Sequence, residues 1–301
     1  MMQRKTSISE KEKIIFIINP VSGTGKTDKL EYLIQHHVNP EAFIPEIIKT
    51  RYKGHAAEIT GKAIKEGVQK IIAVGGDGTV NEIASELVGR EAFLGIIPHG
   101  SGNGLARHLG IPLKSEMALN VLNSGKIKRM DVGKVNNRFF FCTCGTGFDA
   151  RVGKMFDKLG GRGFIKYVRT VIREFLTYRP KKYKICIDGK KYKQEAFLVT
   201  IANAGQWGNN AYIAPGAKID DGLLDICIFK PFPRFKSVIL GLRLFSRTID
   251  RSKYLDVFKG REITIQRKKN IRMHLDGEPF KMKHHVKVTI LPKSLKVIVP
   301  G

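Results

Sequence analysis

The acids most able to do chemistry in this chain sit in glycine turns. Gly75-Gly76-Asp77-Gly78-Thr79 follows the apolar run Ile71-Ile72-Ala73-Val74 and precedes a helix-like stretch opening at Val80-Asn81-Glu82. Glycines let backbone approach a ligand closely. Amides at a helix N-terminus favour anions, and Asp77 in the turn suits a metal ion accompanying phosphates. Further on, Ala214-Pro215-Gly216-Ala217-Lys218-Ile219-Asp220-Asp221-Gly222-Leu223-Leu224-Asp225 gathers three carboxylates around a turn. Carboxylates and carbonyls in a tight loop are ligands for hard cations. Leu275-Asp276-Gly277-Glu278-Pro279 places two acids in another turn, and either can act as general base or metal ligand. Each turn alone is also an ordinary Asp-Gly turn, so the chemistry rests on the set.

Three further loops belong with Gly75–Thr79. Asn19-Pro20-Val21-Ser22-Gly23-Thr24-Gly25-Lys26 has glycines too closely spaced for a P-loop. Ser22, Thr24 and the amides around Gly23 and Gly25 can still donate to phosphate, with Lys26 as counter-charge. Thr50 to His55 places a hydroxyl at a strand end. Pro98-His99-Gly100-Ser101-Gly102-Asn103-Gly104-Leu105-Ala106-Arg107 brings three more glycines with Ser101 and Asn103. Four such loops on one sheet edge point to a nucleotide.

The elements that position them alternate. Lys13–Ile18, Ala42–Lys49, Ile71–Val74 and Leu94–Pro98 read as strands. Helical spacing lies between them, at Leu30/Leu33/Ile34, His55–Glu66 and Val80–Val88, with a last helix ending at Ser124-Gly125. This rhythm predicts a parallel sheet covered on both faces over residues 1–131, and ligands in such sheets bind outside the strands' carboxyl ends. After Asp131 the pattern becomes mostly antiparallel β. Lys182–Ile187 and Lys191-Tyr192 flank an Asp188-Gly189 hairpin turn. Further strands are expected at Arg138–Cys142, Glu195–Asn203, Leu223–Phe229, Glu262–Arg267 and Val286–Leu291. The expected domains are 1–131, 132–293, and a 294–301 tail.

Composition narrows the class. The 301 residues carry a net charge of +26 with 42% hydrophobic content. So strong a positive field recruits polyanions, either nucleic acid or an anionic membrane. No helix-turn-helix, zinc-finger or RNA-recognition pattern supports nucleic acid. Cys142, Cys144, Cys186 and Cys227 lack metal-site spacing and read as reduced, buried thiols. No run approaches the ~20 apolar residues that span a bilayer, and Met1–Lys13 has no signal-peptide character. A soluble or membrane-peripheral cytoplasmic protein is expected. From Phe164 to Tyr178, Phe164, Ile165, Val168, Val171, Ile172, Phe175 and Leu176 share one helical face, opposite Lys166, Arg169 and Arg173. Such a helix either lies on a membrane surface or packs on the β domain with a solvated basic back.

Taken together, the five motifs resemble the diacylglycerol kinase–sphingosine kinase family of lipid kinases, particularly its soluble bacterial members. The resemblance runs from Asn19 to Pro279. It implies an N-terminal α/β domain like that of NAD kinases and phosphofructokinases, a C-terminal β-sandwich, and ATP in the cleft between them. By the family pattern, Asn19, Pro20, Val21, Ser22, Gly23, Thr50, Gly76, Asp77, Gly78, Thr79, Val80, Asn81, Glu82 and Ser101 contact the nucleotide. A structural Mg²⁺ uses the Asp221 side chain with the Lys218 and Leu223 carbonyls. Glu278 is the implied general base, with Asp77 competing for that role. The implied reaction passes the ATP γ-phosphoryl group to a lipid hydroxyl, with diacylglycerol as the first substrate. Gly104 stands where many diacylglycerol kinases carry an acid, which keeps a sphingoid base or ceramide as the alternative. A soluble NAD kinase-like enzyme fits the Gly-Gly-Asp-Gly-Thr turn but not the later motifs. An anionic membrane surface is the expected partner, with a homodimer left open.

Overall fold

The computed structural model describes residues 11–23, 27–152 and 164–301, with the side chains of Thr27 and 164–170 excepted. Thr24, Gly25 and Lys26, expected beside phosphate, lie outside these residues. The chain forms two compact units. One holds Met1–Ser101, Leu109–Lys128 and Lys296–Gly301; the other holds Gly102–His108 and Arg129–Leu295.

In the first unit, β1 (Glu12–Ile18), β2 (Phe43–Lys49), β3 (Lys70–Gly75) and β4 (Phe93–Pro98) pair in parallel in the order β2-β1-β3-β4. The end of β16 (His285–Val299) adds to β4 in parallel, through Lys296 opposite Phe93 and Val297 opposite Leu94. Ile14–Ile18 and Ile71–Val74 are buried without alternation, as strands covered on both faces must be. Helices supply the cover. α1 (Thr27–His37) packs with α5 (Ser115–Ser124), and α2 (His55–Lys65) packs with α3 (Asp77–Leu87). From β1 the chain passes to β2 on one side and later to β3 on the other. The β1/β3 boundary is therefore the point where strand order reverses, which is where doubly wound sheets bind ligands.

The second unit is a β-sandwich. One sheet runs β12-β11-β10-β7-β14-β15, all antiparallel, from Leu255–Gly260, Leu224–Phe229, Leu198–Ala202, Thr143–Gly147, Ile271–Leu275 and Glu278–Met282. The other joins β9 (Lys190–Ala196), β8 (Lys181–Ile187), β13 (Glu262–Gln266) and β16, with β5 (Lys126–Val135) beside β16 and β6 (Arg138–Phe140) beside β5. Tyr183, Ile185, Ile263 and Val286 from this sheet meet Val199, Ile226 and Met273 from its partner in one buried core.

Two expected strands are broken. Glu195–Asn203 reads as one apolar run, yet β9 ends at Ala196 and β10 starts at Leu198 in the opposite sheet. Phe197 turns the corner, its amide bonding the Phe229 carbonyl and its carbonyl taking the Phe148 amide. Arg138–Cys142 stops at Phe140, because the Phe141, Cys142 and Thr143 amides all point to the Asp276 carboxylate. Cys142, Cys144 and Cys227 are buried free thiols, and Cys186 is half-buried. Burial pushes the Cys144 and Cys227 thiols up, which keeps them unreactive.

Candidate active site

At the β1/β3 boundary, Asn19 ties two loops together. Its amide Nδ2 donates to Thr79 Oγ1 at 3.1 Å, and its Oδ1 accepts the Val21 amide at 3.1 Å. The Ser22 hydroxyl donates to the Asn19 carbonyl at 2.7 Å, tightening the turn through Gly23. Gly76 is extended and caps α3, which starts at Asp77 rather than at the expected Val80. Asp77, Gly78 and Thr79 thus form the first helical turn, where amides lack intrahelical partners and the helix field is positive. Val80 is buried, and its amide bonds the Gly76 carbonyl. Glu82 Oε1 accepts the Gly54 amide at 2.9 Å and so fixes the start of α2 beside Thr50.

The glycines here meet steric demands. A Cβ on Gly76 would stand 3.3 Å from Gly100 Cα, and one on Gly23, at φ +61°, would stand 2.5 Å from the His99 carbonyl. The loops after β1, β3 and β4 therefore touch through backbone. His99 lies among them with its Nε2 buried and without a hydrogen-bond partner among the described residues. Nothing in the sequence marks His99, because a histidine among glycines carries no motif of its own.

In the second unit, Asp131 is wholly buried and accepts the Gly222 amide at 2.6 Å and the Lys293 amide at 2.7 Å. It therefore shapes the Asp220–Leu224 loop. Within that loop, Asp221 Oδ1 takes the Leu223 amide at 3.1 Å, and Oδ2 takes the Lys259 ammonium at 2.8 Å. Asp225 lies 3.7 Å from the same ammonium, with its Oδ2 buried and without a hydrogen bond among the described residues. Burial pushes the Asp225 carboxyl up, while Lys259 pulls it down.

The second acidic turn joins β14 to β15. Asp276 accepts the Phe141, Cys142 and Thr143 amides at 2.8, 2.8 and 3.0 Å. A carboxylate so bonded is an anchor, which leaves Glu278, exposed at the start of β15, as the turn's candidate for proton transfer. On the preceding strand, β14, lies His274, part of a buried group that no sequence motif marks. His274 Nε2 stands 3.2 Å from Asp149 Oδ2, which also accepts the Thr200 hydroxyl at 2.8 Å. The Gly277 amide donates to His274 Nδ1 at 3.4 Å. That bond makes Nδ1 the acceptor, so Nε2 carries the proton toward Asp149.

Residues 13–135 match the family model described as the diacylglycerol kinase catalytic domain. Residues 142–299 match the YegS C-terminal NAD kinase beta sandwich-like domain. The chain belongs to the diacylglycerol kinase–YegS family of ATP-dependent lipid kinases. A protein described as a probable lipid kinase YegS-like, from Enterobacter sp. (strain 638), is 31% identical over 262 residues, covering 82% of this chain and 84% of that one. A Klebsiella pneumoniae (strain 342) protein of the same description is 30% identical over 260 residues, with the same coverage. A crystal structure assigned to a diacylglycerol kinase of Bacillus anthracis str. Sterne aligns over 99% of this chain and 98% of its own, at 27% identity and TM-score 0.80.

Asn19, Thr50, Gly76 and Ser101 each come after the carboxyl end of a parallel strand, so the residues singled out in these four loops gather along one sheet edge. Among the described residues no three His, Cys, Asp or Glu side chains cluster as a metal site. Hard-cation binding at the Asp221 loop would instead draw on carbonyls. Those of Lys218 and Leu223 accept no hydrogen bond among the described residues. With the unbonded Asp225 oxygen nearby, this donor set fits Mg²⁺.

Proposed function

We propose that the chain phosphorylates diacylglycerol with ATP to give phosphatidic acid. The convergence of the Asn19–Gly23, Gly76–Thr79 and His99–Ser101 loops at the switch point supports the nucleotide half. There the first-turn amides of α3 would meet the phosphates, and the buried His99 Nε2 offers one more polar contact. The Asp276 anchor supports the chemical half, because it leaves Glu278 for the proton. The lipid hydroxyl oxygen attacks the γ-phosphorus as the bond to ADP breaks, and its proton passes to the Glu278 carboxylate. In phosphoryl transfer the protein mainly positions the reactants and neutralises charge, with the base adding ~10²–10⁴-fold. Mg²⁺, when bound beside Asp77, supplies charge neutralisation on the phosphates. The Asp221 side chain with the Lys218 and Leu223 carbonyls would hold a second, structural ion.

A lipid substrate requires a surface that meets the bilayer. The helix Ser237–Phe245 and the preceding turn expose Phe235 (78%), Val238 (72%), Leu242 (65%) and Phe245 (61%). Arg234, Lys236 and Arg243 flank them. Apolar side chains ringed by cations suit anionic lipid, where each basic residue contributes ~1 kcal/mol. Ile172 and Leu176 on the helix Phe164–Thr177 are also half exposed. The other reading of the substrate rests on Gly104, which is buried at the start of α4 (Gly104–His108) and puts no acid there, as in sphingosine and ceramide kinases.

Incubation with labelled ATP, Mg²⁺ and mixed micelles of diacylglycerol, sphingosine or ceramide tests both readings. Label in diacylglycerol is the expected result. Label only in a sphingoid lipid transfers the assignment to the second reading, and label in none overturns both.

A further inference from the structure

One end of the sandwich carries a basic cavity apart from the Asp221 loop and the Glu278 turn. Strands β7, β8 and β14, with the residues just after β7 and β13, bring Arg151, Lys181, Arg267 and Arg272 around a recess of about 360 Å³, beside Thr146 and Asn270. Arg151 pairs with Glu174. Lys181, Arg267 and Arg272 have no carboxylate partner among the described residues. The buried Asp149, which is not in the lining, is held by Thr200 and His274.

The cations are held in place by packing. Lys181 and Arg151 lie 5.1 and 5.8 Å from the centre of the buried Tyr178 ring, and Arg267 lies 5.6 Å from that of Tyr183. Rings at this range fix a cation by its attraction to their faces. Burial, then the charges of Arg267, Arg151 and Arg272, push the Lys181 ammonium below its ordinary value. Like charges fixed this close destabilise the fold unless an anion joins them.

We infer that this recess is a binding site for a dianionic phosphate group. Guanidinium groups match phosphate oxygens in pairs, and the recess has room for a phosphate group together with part of whatever carries it. A second, more open recess of about 520 Å³ shares Lys269 and Arg272 and adds Lys268, Lys281 and His284. It gives a surface-borne headgroup a way in. The phosphate comes either from the free ion or from a lipid headgroup. The inference draws on binding geometry in the second unit alone, so it stands apart from the kinase reading.

The test uses the full-length chain and measures binding only. Thermal unfolding is followed in inorganic phosphate and in chloride at equal ionic strength. Flotation compares phosphatidylcholine vesicles carrying phosphatidic acid with vesicles carrying phosphatidylglycerol at equal surface charge. A rise in Tm with phosphate assigns the free ion. A preference for phosphatidic acid vesicles without that rise assigns the headgroup. In either case the R267M/R272M variant is expected to lose the response, with about tenfold weaker binding and unchanged attachment to phosphatidylglycerol vesicles. Neither response in the wild-type chain, or equal loss on both vesicle types, overturns the inference. Should the double variant not fold, R272M alone, at an exposed position of β14, carries the same comparison.

Discussion

The second unit contains the same turn twice. Asp188-Gly189 and Asp276-Gly277 both close hairpins with positive φ at each residue, 45° and 85° in one and 46° and 90° in the other. Both aspartates bond neighbouring backbone. Asp188 accepts the Arg261 and Glu262 amides, and Asp276 accepts three amides from 141–143. The two turns differ in the residues that come next and in the side chains packed behind them. After Asp188 come Gly189 and exposed lysines. After Asp276 comes Glu278, backed by the buried Asp149–His274–Thr200 group. An Asp-Gly turn is thus architecture in this fold, and only the second is followed by another carboxylate, Glu278.

The largest expected effect tests that reading directly. E278Q should lower kcat by ~10²–10⁴-fold with ATP affinity and Tm unchanged, whereas K190Q, two residues after Asp188, should change none of these. Steady-state kinetics and nucleotide titration decide it; near-native kcat in E278Q removes Glu278 as base. Next, D276A strands three amides and should cost about 3 kcal/mol in urea denaturation, while D188A, whose turn is exposed, should cost about 1 kcal/mol. Equal costs would make the two turns equivalent. H274A removes the donor facing Asp149 and should cost about 2 kcal/mol. It should also lower kcat through a misplaced Glu278 turn, an effect that no substitution around Asp188 shares.

The smallest effect lies at the Asp221 loop. K259M leaves Asp221 and Asp225 without their cation and should cost about 1 kcal/mol near pH 8, since the pair is partly solvated. The Lys259 ammonium is raised by its bond to Asp221, so its contribution is complete at that pH and fades only above the ordinary lysine range. Without Lys259, the buried Asp225 carboxyl rises further. The deficit should therefore shrink as pH falls through that raised value and Asp225 takes up a proton. Denaturation midpoints near pH 8 and pH 5 check the trend, and Mg²⁺ near pH 8 should restore part of the loss if the ion shares the loop.

Much of the fold is legible in the sequence because it is written locally. Apolar runs ending in glycine mark parallel strands, and a switch from helical to alternating spacing marks the sandwich. What escapes depends on distant partners. Glu195–Asn203 has nothing at Phe197 to announce a corner; the break comes from pairing with Phe229 and Phe148. The same holds at the candidate site. Glycines and acids within a motif stand out, but Asp131, Asp149, Thr200 and Lys259 acquire meaning only from residues tens of positions away. His99 is adjacent to a motif, yet only its buried nitrogen, without a hydrogen bond among the described residues, separates it from any loop histidine.

The last strand sets a schedule for the chain's birth. β4 is covered on its outer edge by Lys296 and Val297, made roughly 200 residues after it. At ~5–20 residues per second of synthesis, that edge stays open for roughly 10–40 s on the ribosome. An uncovered apolar edge strand is a template for pairing with another chain. Removing Lys296–Gly301 would make that transient exposure permanent, so such a truncation should show its defect first as aggregation in the cell rather than as lost catalysis.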